Sequence, residues 1–319
     1  MKPHVLILSG LYDFSTDLVV LQLDCAGVPY VRLNREQLSD YRLTLDPLAP
    51  RLNIDGPGGH YDVGPALRAI WFRQPVFLRN TPPVPLSPDE QLARSQWTAF
   101  LRGLCVFRNA AWMNHPPATY LAESKPYQLA AAAACGFRVP ATLATNDAGR
   151  IRQAFPEALV VKSLDTVLLR EGDDCLFTYT TINPGTALRD ETVVAAPLLA
   201  QQVLDQKTDL RITVIGDRLF AVRILSAGAG VAGDWRIVPK TDLEYRDIAL
   251  DGTTADQCLR LTRHLGLSFA AIDLVETPEG VFFIEVNPTG EWGWLSNPAR
   301  PIDKAIAAWL ANPSDYGQG

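Results

Sequence analysis

Two predicted strands near the C-terminus bring together residues that could hold a metal ion. They span residues 269–275 and 281–287 and are joined by the turn Thr277-Pro278-Glu279-Gly280. Because side chains alternate between the faces of a strand, the second strand is predicted to place three residues on one face: Phe283, Glu285 and Asn287. In one register, Asp273 of the first strand lies directly or diagonally opposite. The pattern therefore predicts two carboxylates facing each other across the hairpin.

These facing carboxylates would repel each other and destabilise an otherwise apolar hairpin. A bound cation removes that conflict. Asp273, Glu285 and Asn287 would all bind it through oxygen, which suits magnesium carrying substrate phosphates better than zinc. We predict a magnesium site at these three residues. The alternative is a solvated hairpin face with no metal.

Two lysines are candidate phosphate ligands. Lys125 stands at the start of a predicted helix, in AESKPYQL, and Lys162 lies within the apolar strand ALVVKSL. Most lysines are solvated surface charges, and Lys125 alone fits that description. Lys162 fits it less well, because an ammonium group beside valine and leucine needs an anion or a route to water.

Three arginines lead towards the predicted metal hairpin. Arg211 lies in DLRITV and Arg223 in FAVRIL, both in alternating strand sequence, and Arg236 lies in GDWRIV. Any one of them could be a surface charge. Together they are predicted to form a positive wall around a transferring phosphoryl group, whose transition state is stabilised mainly by positioned charges and magnesium.

Motifs of several other enzyme classes are absent from the sequence. It contains no GxxxxGK[ST] loop, no GxGxxG after the first predicted strand and no GxSxG nucleophile elbow. The five cysteines are scattered without a CxxC pair, which favours reduced thiols in a cytosolic protein over a disulfide framework or zinc site.

Composition is that of an ordinary globular protein. Of 319 residues, 47% are hydrophobic and 20% charged, enough for two or three domains. The net charge of −6 argues against a nucleic-acid binder that relies on bulk charge. No apolar stretch approaches the length of a membrane span, so we expect a cytoplasmic location and neither membrane nor nucleic-acid partners.

The predicted elements form three consecutive α/β pieces. The run from HVLILSG through STDLVVLQLDCAG to VPYVRLN reads as strand, helix and strand, which indicates a small parallel unit with Ser15 or Thr16 capping its helix. Later strands alternate with helices, among them an alanine-rich helix closed by Gly136. We place the piece boundaries near residues 115 and 195.

Several segments, taken together, resemble a known superfamily. Lys125, Lys162, AQQVL, DLR, AIDLV and FIEVNP occur in the order typical of ATP-grasp enzymes, a group that includes ribosomal-protein glutamate ligases. Further segments resemble the ATP-grasp maturases of ribosomally synthesised peptides, the microviridin-type or graspetide ligases: LDCAGVPYVRLN, AIWFRQP, WMNHPPATYLAESKPYQLAAAAACGFRVPATLATN and the tryptophan-containing tail EVNPTGEWGW. The likeness covers nearly the whole chain.

This resemblance implies an α/β ATP-grasp fold in three parts: a pre-ATP-grasp domain at 1–115, a central subdomain at 116–195 and a C-terminal subdomain with the metal site at 196–319. The two subdomains would clamp ATP between them. The phosphate-covering loop of many ATP-grasp proteins is rich in glycine, whereas REGDD here offers only Gly172.

The resemblance also implies roles for individual residues. ATP and Mg²⁺ would be the cofactors, with Asp273, Glu285 and Asn287 as metal ligands and Arg211 steadying an acyl phosphate. The implied nucleotide-binding residues are Lys125 and Lys162 at the phosphates, Gln202 and Val203 at the adenine, and Asp209 near the nucleotide. Arg223 and Arg236 complete the predicted catalytic set.

Enzymes of the resembled group phosphorylate an Asp or Glu side chain of a precursor peptide. A Ser, Thr or Lys side chain of the same peptide then attacks, which releases phosphate and closes an ester or amide ring. The expected partner is thus a ribosomally made precursor peptide with leader and core, and a homodimer is left open.

Two other functions fit the same sequence. One is a ligase that joins a free amino acid to a peptide or small molecule. The other is an ATP-grasp-shaped module that binds a peptide without catalysis. The complete set of lysine, arginine, aspartate, glutamate and asparagine residues argues against the second, because a pure binder gains little from a metal site.

Overall fold

The computed structural model describes residues 1–73, 86–165, 168–171, 174–177 and 180–316. The described strands are β1 Val5–Ser9, β2 Tyr30–Asn34, β3 Arg42–Asp46, β4 Arg51–Gly56, β5 Gly59–Val63, β6 Ala69–Phe72, β7 Ala111–Met113, β8 Thr142–Thr145, β9 Ala158–Lys162, β10 Leu168–Glu171, β11 Asp174–Phe177, β12 Thr181–Pro184, β13 Leu198–Gln201, β14 Thr208–Ile215, β15 Arg218–Ser226, β16 Leu243–Asp247, β17 Phe269–Thr277 and β18 Gly280–Asn287. The described α-helices are α1 Phe14–Cys25, α2 Pro88–Gly103, α3 Pro116–Ala122, α4 Lys125–Ala134, α5 Ala148–Ala154, α6 Asp190–Ala195, α7 Gly252–His264 and α8 Ile302–Ala311.

The N-terminal part contains a parallel sheet in the order β2-β1-β6-β7. Every residue of β1 is buried, as expected for a strand covered on both faces, and β1 pairs in parallel with β2 and β6. This confirms the predicted strand–helix–strand unit. The predicted cap of α1 is wrong, because the helix begins one residue before Ser15 and Asp13 occupies the N-cap position. A small antiparallel sheet, β3-β4-β5, lies beside this unit in sequence.

The middle of the chain forms a four-stranded sheet in the order β12-β9-β13-β8. Its apolar core includes Ile151 of α5 and Leu159 of β9. Strand β13 follows the predicted boundary at residue 195 but pairs with β8 and β9 of this sheet. The division into domains remains a prediction, and the pairing of β13 would extend the central piece to Gln201.

The C-terminal part is built on a five-stranded antiparallel sheet in the order β16-β15-β14-β17-β18. One face packs against α4 and α7 through an apolar cluster that includes Leu210, Ile212 and Leu274. The other face contributes Val222 and Ala271 to a second cluster, which also holds residues of β1, α1 and α8. The sheet is therefore covered on both sides.

Within the described residues, none of the helices combines the length and the apolarity that crossing a membrane requires.

Candidate active site

The acidic pair predicted from the hairpin is present in the structure. Asp273 of β17 is the direct cross-strand partner of Glu285 of β18, which confirms the predicted opposition. Asn287 lies next to both carboxylates, with its Nδ2 atom 3.2 Å from Glu285 Oε1 and 3.5 Å from Asp273 Oδ2. Three side chains able to offer oxygen atoms therefore converge at one position on the sheet.

Phe283 does not share their face, so this part of the prediction is wrong. The register shifts between Asp273 and Leu274, so that Leu274 pairs with Phe283 while Asp273 pairs with Glu285. Such a bulge adds a residue to one strand and reverses the alternation beyond it. Phe283 is fully buried in the opposite apolar cluster, with its ring 5.7 Å from that of Phe137.

Burial and mutual repulsion set the charges of the acidic pair. Burial raises the pKa of Asp273 to about 6, and the facing Glu285 carboxylate adds to this effect against the opposing effect of Arg211. Burial alone would raise the pKa of Glu285, but Arg236, Lys162 and Lys125 outweigh it and hold that pKa below its usual range. Burial and Glu285 thus work against ionisation of Asp273, whereas the nearby cations favour ionisation of Glu285.

The chemistry of these ligands fits magnesium. A bound Mg²⁺ ion takes one or two carboxylates and completes its shell with water and substrate phosphates, and Asp273, Glu285 and Asn287 match that pattern. In the described parts of the chain, no group of three or more His, Cys, Asp or Glu residues is arranged to hold a metal. The candidate site therefore consists of two carboxylates and an amide.

Arg211 of β14 is bound to Asp273, one member of the acidic pair. Its Nη1 atom donates to both oxygens of Asp273, at 2.8 and 2.9 Å, and its Nη2 atom donates to the carbonyl oxygen of Glu291 at 3.1 Å. The side chain is 7% exposed. As the sequence predicted, the alternation of β14 places Arg211 beside the hairpin of β17 and β18.

Arg236 also reaches this site, from the loop between β15 and β16. Two of its nitrogens donate to the two oxygens of Asp234 at 2.9 Å, and its Nη1 atom lies 3.4 Å from Glu285 Oε1. Asp234 accepts a further hydrogen bond from the backbone N–H of Thr180, at 3.3 Å. Asp234 therefore fixes the guanidinium of Arg236 beside Glu285.

Arg223 lies elsewhere, so its predicted convergence with Arg211 at the metal hairpin is wrong. Strand register pairs Arg211 with Val222 and pairs Arg223 with Leu210, which places the two arginines on opposite faces of the sheet. Arg223 donates to Glu276 at 2.6 Å on the other face. It is not part of the cluster formed by Arg211, Arg236 and the acidic pair.

Lys162 lies where the central and five-stranded sheets meet. Its Nζ atom donates to Oε1 of Gln201 at 2.9 Å, and Gln201 in turn donates to Oγ1 of Thr142 at 3.0 Å. Burial lowers the pKa of Lys162, while the negative charge of Glu285 opposes this shift. Lys125, at the first position of α4, is half-buried, and its charge also acts on Glu285 and Lys162.

Several of these residues line a cavity of about 280 Å³, among them Lys162, Arg236 and the acidic pair. Its walls contain the predicted nucleotide-binding residues Gln202, Val203 and Asp209 together with Lys162, and the acidic pair lies at its lining. Lys207 donates a hydrogen bond to Asp209, although burial raises the pKa of that carboxyl. Lys125 does not line this cavity. Gly172 of the predicted phosphate-covering loop lies outside the described residues.

The sequence analysis missed several polar residues that orient the predicted ones. Asp234, Gln201 and Lys207 contact Arg236, Lys162 and Asp209 respectively. Asp234 and Lys207 lie two residues from their partners, so the pattern of opposite charges was available in the sequence. Gln201 was not identifiable in this way, because it meets Lys162 only through the pairing of β13 with β9.

Comparisons with known proteins identify the fold. No family model matches the chain. A probable alpha-L-glutamate ligase of Mannheimia succiniciproducens is 25% identical over 182 residues, an alignment that spans 56% of this chain and 60% of the relative. This chain therefore matches less than two thirds of that relative's length.

Solved structures match the whole chain. A RiPP-associated ATP-grasp ligase of Chryseobacterium gregarium, in complex with ADP and a leader and core peptide, has a TM-score of 0.84 and 24% identity, covering 98% of this chain and 97% of its own. The macrocyclase MdnC of Microcystis aeruginosa, bound with precursor peptide MdnA, has a TM-score of 0.82 and 23% identity, covering 98% and 100%. The ATP-grasp ligase PsnB, complexed with a minimal precursor variant, Mg and ADP, has a TM-score of 0.75 and 18% identity, covering 98% and 99%. The chain has the α/β fold of ATP-grasp ligases, which confirms the resemblance seen in the sequence.

Proposed function

We propose that this ATP-grasp chain is an ADP-forming ligase that activates Asp or Glu side chains of a ribosomally made precursor peptide as acyl phosphates. The activated carboxylate would then form an ester or amide crosslink with another side chain of the same peptide. One observation carries the proposal: Lys162, Arg236 and the acidic pair line one cavity, and Arg211 binds Asp273 of that pair, in a fold shared with ATP-grasp ligases.

The cavity supplies the groups that ATP requires. Gln202 and Val203 line one part of it and would bind the adenine, with Asp209 near the ribose and phosphates. Lys162, held by Gln201, would donate to the phosphates, and the charge of Lys125 would add to the positive field.

Asp273, Glu285 and Asn287 would hold magnesium. When bound, the ion neutralises phosphate charge and orients the phosphoryl group for transfer. The positive charge near Glu285 keeps that carboxylate ionised and ready to bind a cation.

Arg211 would stabilise the reacting groups. Its guanidinium lies beside Asp273 and is held at its far end by the carbonyl oxygen of Glu291. A guanidinium in this position can bridge the γ-phosphate and the substrate carboxylate, because its planar fork binds two oxyanions at once. Arg236, fixed by Asp234, would stabilise the negative charge from the side of Glu285.

A peptide substrate is supported by the similar structures. The Chryseobacterium gregarium ligase is in complex with a leader and core peptide, and MdnC is bound with a precursor peptide. Because both share the fold over nearly the full length of this chain, we propose a precursor peptide as the partner here.

Mass spectrometry would test this function. The purified chain would be incubated with ATP, magnesium and candidate precursor peptides, chosen from short reading frames near its gene that encode a leader and a core rich in Thr, Asp, Glu or Lys. We expect ADP and phosphate to form while the peptide loses water, in steps that correspond to ring closures. A peptide of unchanged mass, with no ADP formed, would contradict the proposal.

A second candidate is a ligase that adds a free amino acid to a peptide. The similarity to a probable alpha-L-glutamate ligase favours it. The same experiment, repeated with free glutamate present, would separate the two functions, because addition increases the mass of the peptide while cyclisation lowers it.

A further inference from the structure

The backbone segment 288–291, which follows β18, is held by side chains from other parts of the chain. Each of its four consecutive carbonyl oxygens accepts a hydrogen bond from a side chain. Two of the donor residues, Arg73 and Asn114, belong to the N-terminal part, and the third is Arg211 of β14. Asn287, directly before the segment, is one of the proposed metal ligands. The segment therefore connects the N-terminal part to the candidate active site.

The two donors from the N-terminal part lie at the ends of neighbouring strands. Arg73 directly follows β6 and Asn114 directly follows β7, and these strands pair in parallel. Their carboxyl ends therefore meet at the same edge of the sheet. Asn114 Nδ2 donates to the carbonyl oxygen of Pro288 at 2.8 Å. Arg73 Nη1 donates to the carbonyl oxygen of Thr289 and, at 3.2 Å, to that of Gly290.

Gly290 packs directly on the candidate active site. A Cβ atom added to Gly290 would lie 2.8 Å from Arg211 Nη2, 2.6 Å from the Cβ atom of Ala271 and 3.0 Å from that of Asn287. All three distances are below van der Waals contact, so the site has room only for glycine without displacement of its neighbours. The next carbonyl oxygen, that of Glu291, accepts a hydrogen bond from Arg211 Nη2 at 3.1 Å. The position of the segment and the orientation of the Arg211 guanidinium are therefore linked.

Arg73 is itself fixed within the N-terminal part. Its side chain is 2% exposed, and its Nε atom donates to the buried carboxylate of Asp13 at 3.1 Å. Its Nη2 atom donates to Glu291 Oε1 at 2.6 Å. Burying such an ion pair is costly, and apolar residues of similar volume often stabilise a fold as well or better. The planar fork of arginine, however, holds several acceptors in a fixed geometry, which suits a positioning role.

We propose that Arg73 is a positioning residue for the reaction and that it acts through Arg211. This inference rests on the proposed ligase function, in which the Arg211 guanidinium bridges the γ-phosphate and the substrate carboxylate. By binding two carbonyl oxygens of the segment, Arg73 holds it against Arg211. Arg211 Nη2 then stays on the carbonyl oxygen of Glu291 while its Nη1 atom stays on Asp273. The N-terminal part thereby sets the orientation of a side chain on the C-terminal sheet.

The first test is Arg73→Lys, assayed with the candidate precursor peptide, ATP and magnesium. Lysine keeps a positive charge beside Asp13 but lacks the planar fork that binds both carbonyl oxygens. We expect ring formation to slow by about 10², the scale of loss when a reacting group is misplaced by about 1 Å. Calorimetric titration should show ATP-analogue affinity within about threefold of wild type, because Arg211 acts mainly on the transition state.

Asp13→Asn is the matched control. It removes the charge of the same buried ion pair but leaves Arg73 and its contacts with the segment in place. The asparagine side chain keeps an oxygen that can accept a hydrogen bond from Arg73 Nε. This variant should form rings near the wild-type rate, even where denaturation shows a loss of stability. Loss of stability and loss of positioning are thereby measured separately.

A double-mutant cycle tests whether Arg73 acts through Arg211. Arg73→Lys is combined with Arg211→Ala, and ring formation is followed by mass spectrometry under single-turnover conditions. Once Arg211 is gone, Arg73→Lys should slow ring formation further by less than about threefold, because coupled residues are not additive. Independent effects would instead multiply, giving a further loss of about 10².

Gly290→Ala disturbs the same contact without removing a buried charge. Its added Cβ atom would push on Arg211 Nη2, so it should slow ring formation while ATP-analogue affinity is retained. This variant decides the question if Arg73→Lys fails to fold. A crystal structure of either folded variant gives a readout that does not depend on activity. It should show Arg211 Nη2 more than about 3.5 Å from the carbonyl oxygen of Glu291, beyond hydrogen-bonding distance.

Three outcomes would overturn the inference: ring formation at the wild-type rate in Arg73→Lys or Gly290→Ala, losses that multiply in the double variant, or an equal loss in Asp13→Asn. Failure of the proposed function is distinguishable, because the wild-type chain would then form neither ADP nor a ring. The crystal structures would still test whether Arg73 sets the orientation of Arg211.

Discussion

Two arginine–carboxylate pairs link strands of the five-stranded sheet on its opposite faces: Arg211 of β14 binds Asp273 of the neighbouring β17, and Arg223 of β15 reaches past β14 to Glu276 of β17. Nη1 of Arg211 donates to both oxygens of Asp273 at 2.8 and 2.9 Å, and the two side chains are 7% and 15% exposed. Arg223 and Glu276 form a pair at 2.6 Å, with side chains 38% and 42% exposed. The residue types are the same, but only the first pair is buried beside a second carboxylate.

This difference in burial distinguishes the ion pair in the candidate site from an ion pair on the protein surface. An exposed ion pair contributes about 0–1 kcal/mol and needs no functional explanation. A buried pair must offset a desolvation cost, and apolar residues of similar volume often stabilise a fold as well or better. Burial raises the pKa of Asp273 in spite of the opposing charge of Arg211. The proposed role in binding charged ligands would explain why the fold retains the buried pair.

The largest expected effect on turnover comes from replacing the buried carboxylate of Asp273. Asp273→Asn keeps the size of the side chain but removes the negative charge that would bind magnesium. We expect turnover to fall by about 10³ or more, because transfer would lose much of its charge stabilisation. Circular dichroism should show a retained fold. The control is Glu276→Gln, and equal activity in the two variants would remove the distinction between the pairs.

Phe283 tests whether the face of the sheet opposite the candidate site contributes to the stability of the fold. It is fully buried on the apolar face, opposite Leu274. Phe283→Ala should lower the free energy of unfolding by about 3–5 kcal/mol through lost burial and a cavity. Chemical denaturation would measure this loss. A change of less than about 1 kcal/mol would contradict the placement of Phe283 in the core.

Replacing Arg211 and replacing Arg223 by alanine should have different effects on turnover. Arg211→Ala should lower turnover by about 10²–10³, the usual effect of losing one positioned donor, while ATP affinity stays within a few-fold. Arg223→Ala should leave turnover near the wild-type value. Steady-state kinetics with calorimetric titration of an ATP analogue would check both variants. Near-normal ring formation by Arg211→Ala would make Arg236 the next candidate for this role.

Lys162 should affect nucleotide binding more than chemistry. Lys162→Met keeps most of the apolar stem but removes the charged donor. ATP affinity should weaken by about 10- to 100-fold, which corresponds to a hydrogen bond to a charged group worth about 1.5–3 kcal/mol. Calorimetric titration with a non-hydrolysable ATP analogue would measure the change. An unchanged affinity would indicate that Lys162 does not contact the nucleotide.

Much of the C-terminal site was predictable from local pattern. Alternating residues in two strands joined by a short turn predicted that Asp273 and Glu285 face each other, and the structure confirms it. The face of the sheet on which Arg223 lies could also have been predicted from the sequence. The turn Gly216-Asp217 is a two-residue hairpin connection, and counting back from it pairs Arg211 with Val222 rather than with Arg223.

Other features could not be predicted from the sequence. Phe283 lies on the opposite face of the sheet from Glu285 because of a bulge, which strand alternation does not predict. Gln201 and Glu291 gain their partners from distant strands and loops, so their positions follow from the tertiary fold. Arg73 lies in a segment that matched the resembled family, yet nothing in its local sequence indicates that it reaches the loop after β18.

Trapping of the acyl phosphate tests the central claim most directly. The wild-type chain would be incubated with the candidate precursor peptide, ATP, magnesium and hydroxylamine, in parallel with Asp273→Asn. The account predicts a hydroxamate at an Asp or Glu side chain of the peptide, formed together with ADP and only by the wild-type chain. Absence of hydroxamate from the wild-type reaction, or an equal yield from Asp273→Asn, would contradict it.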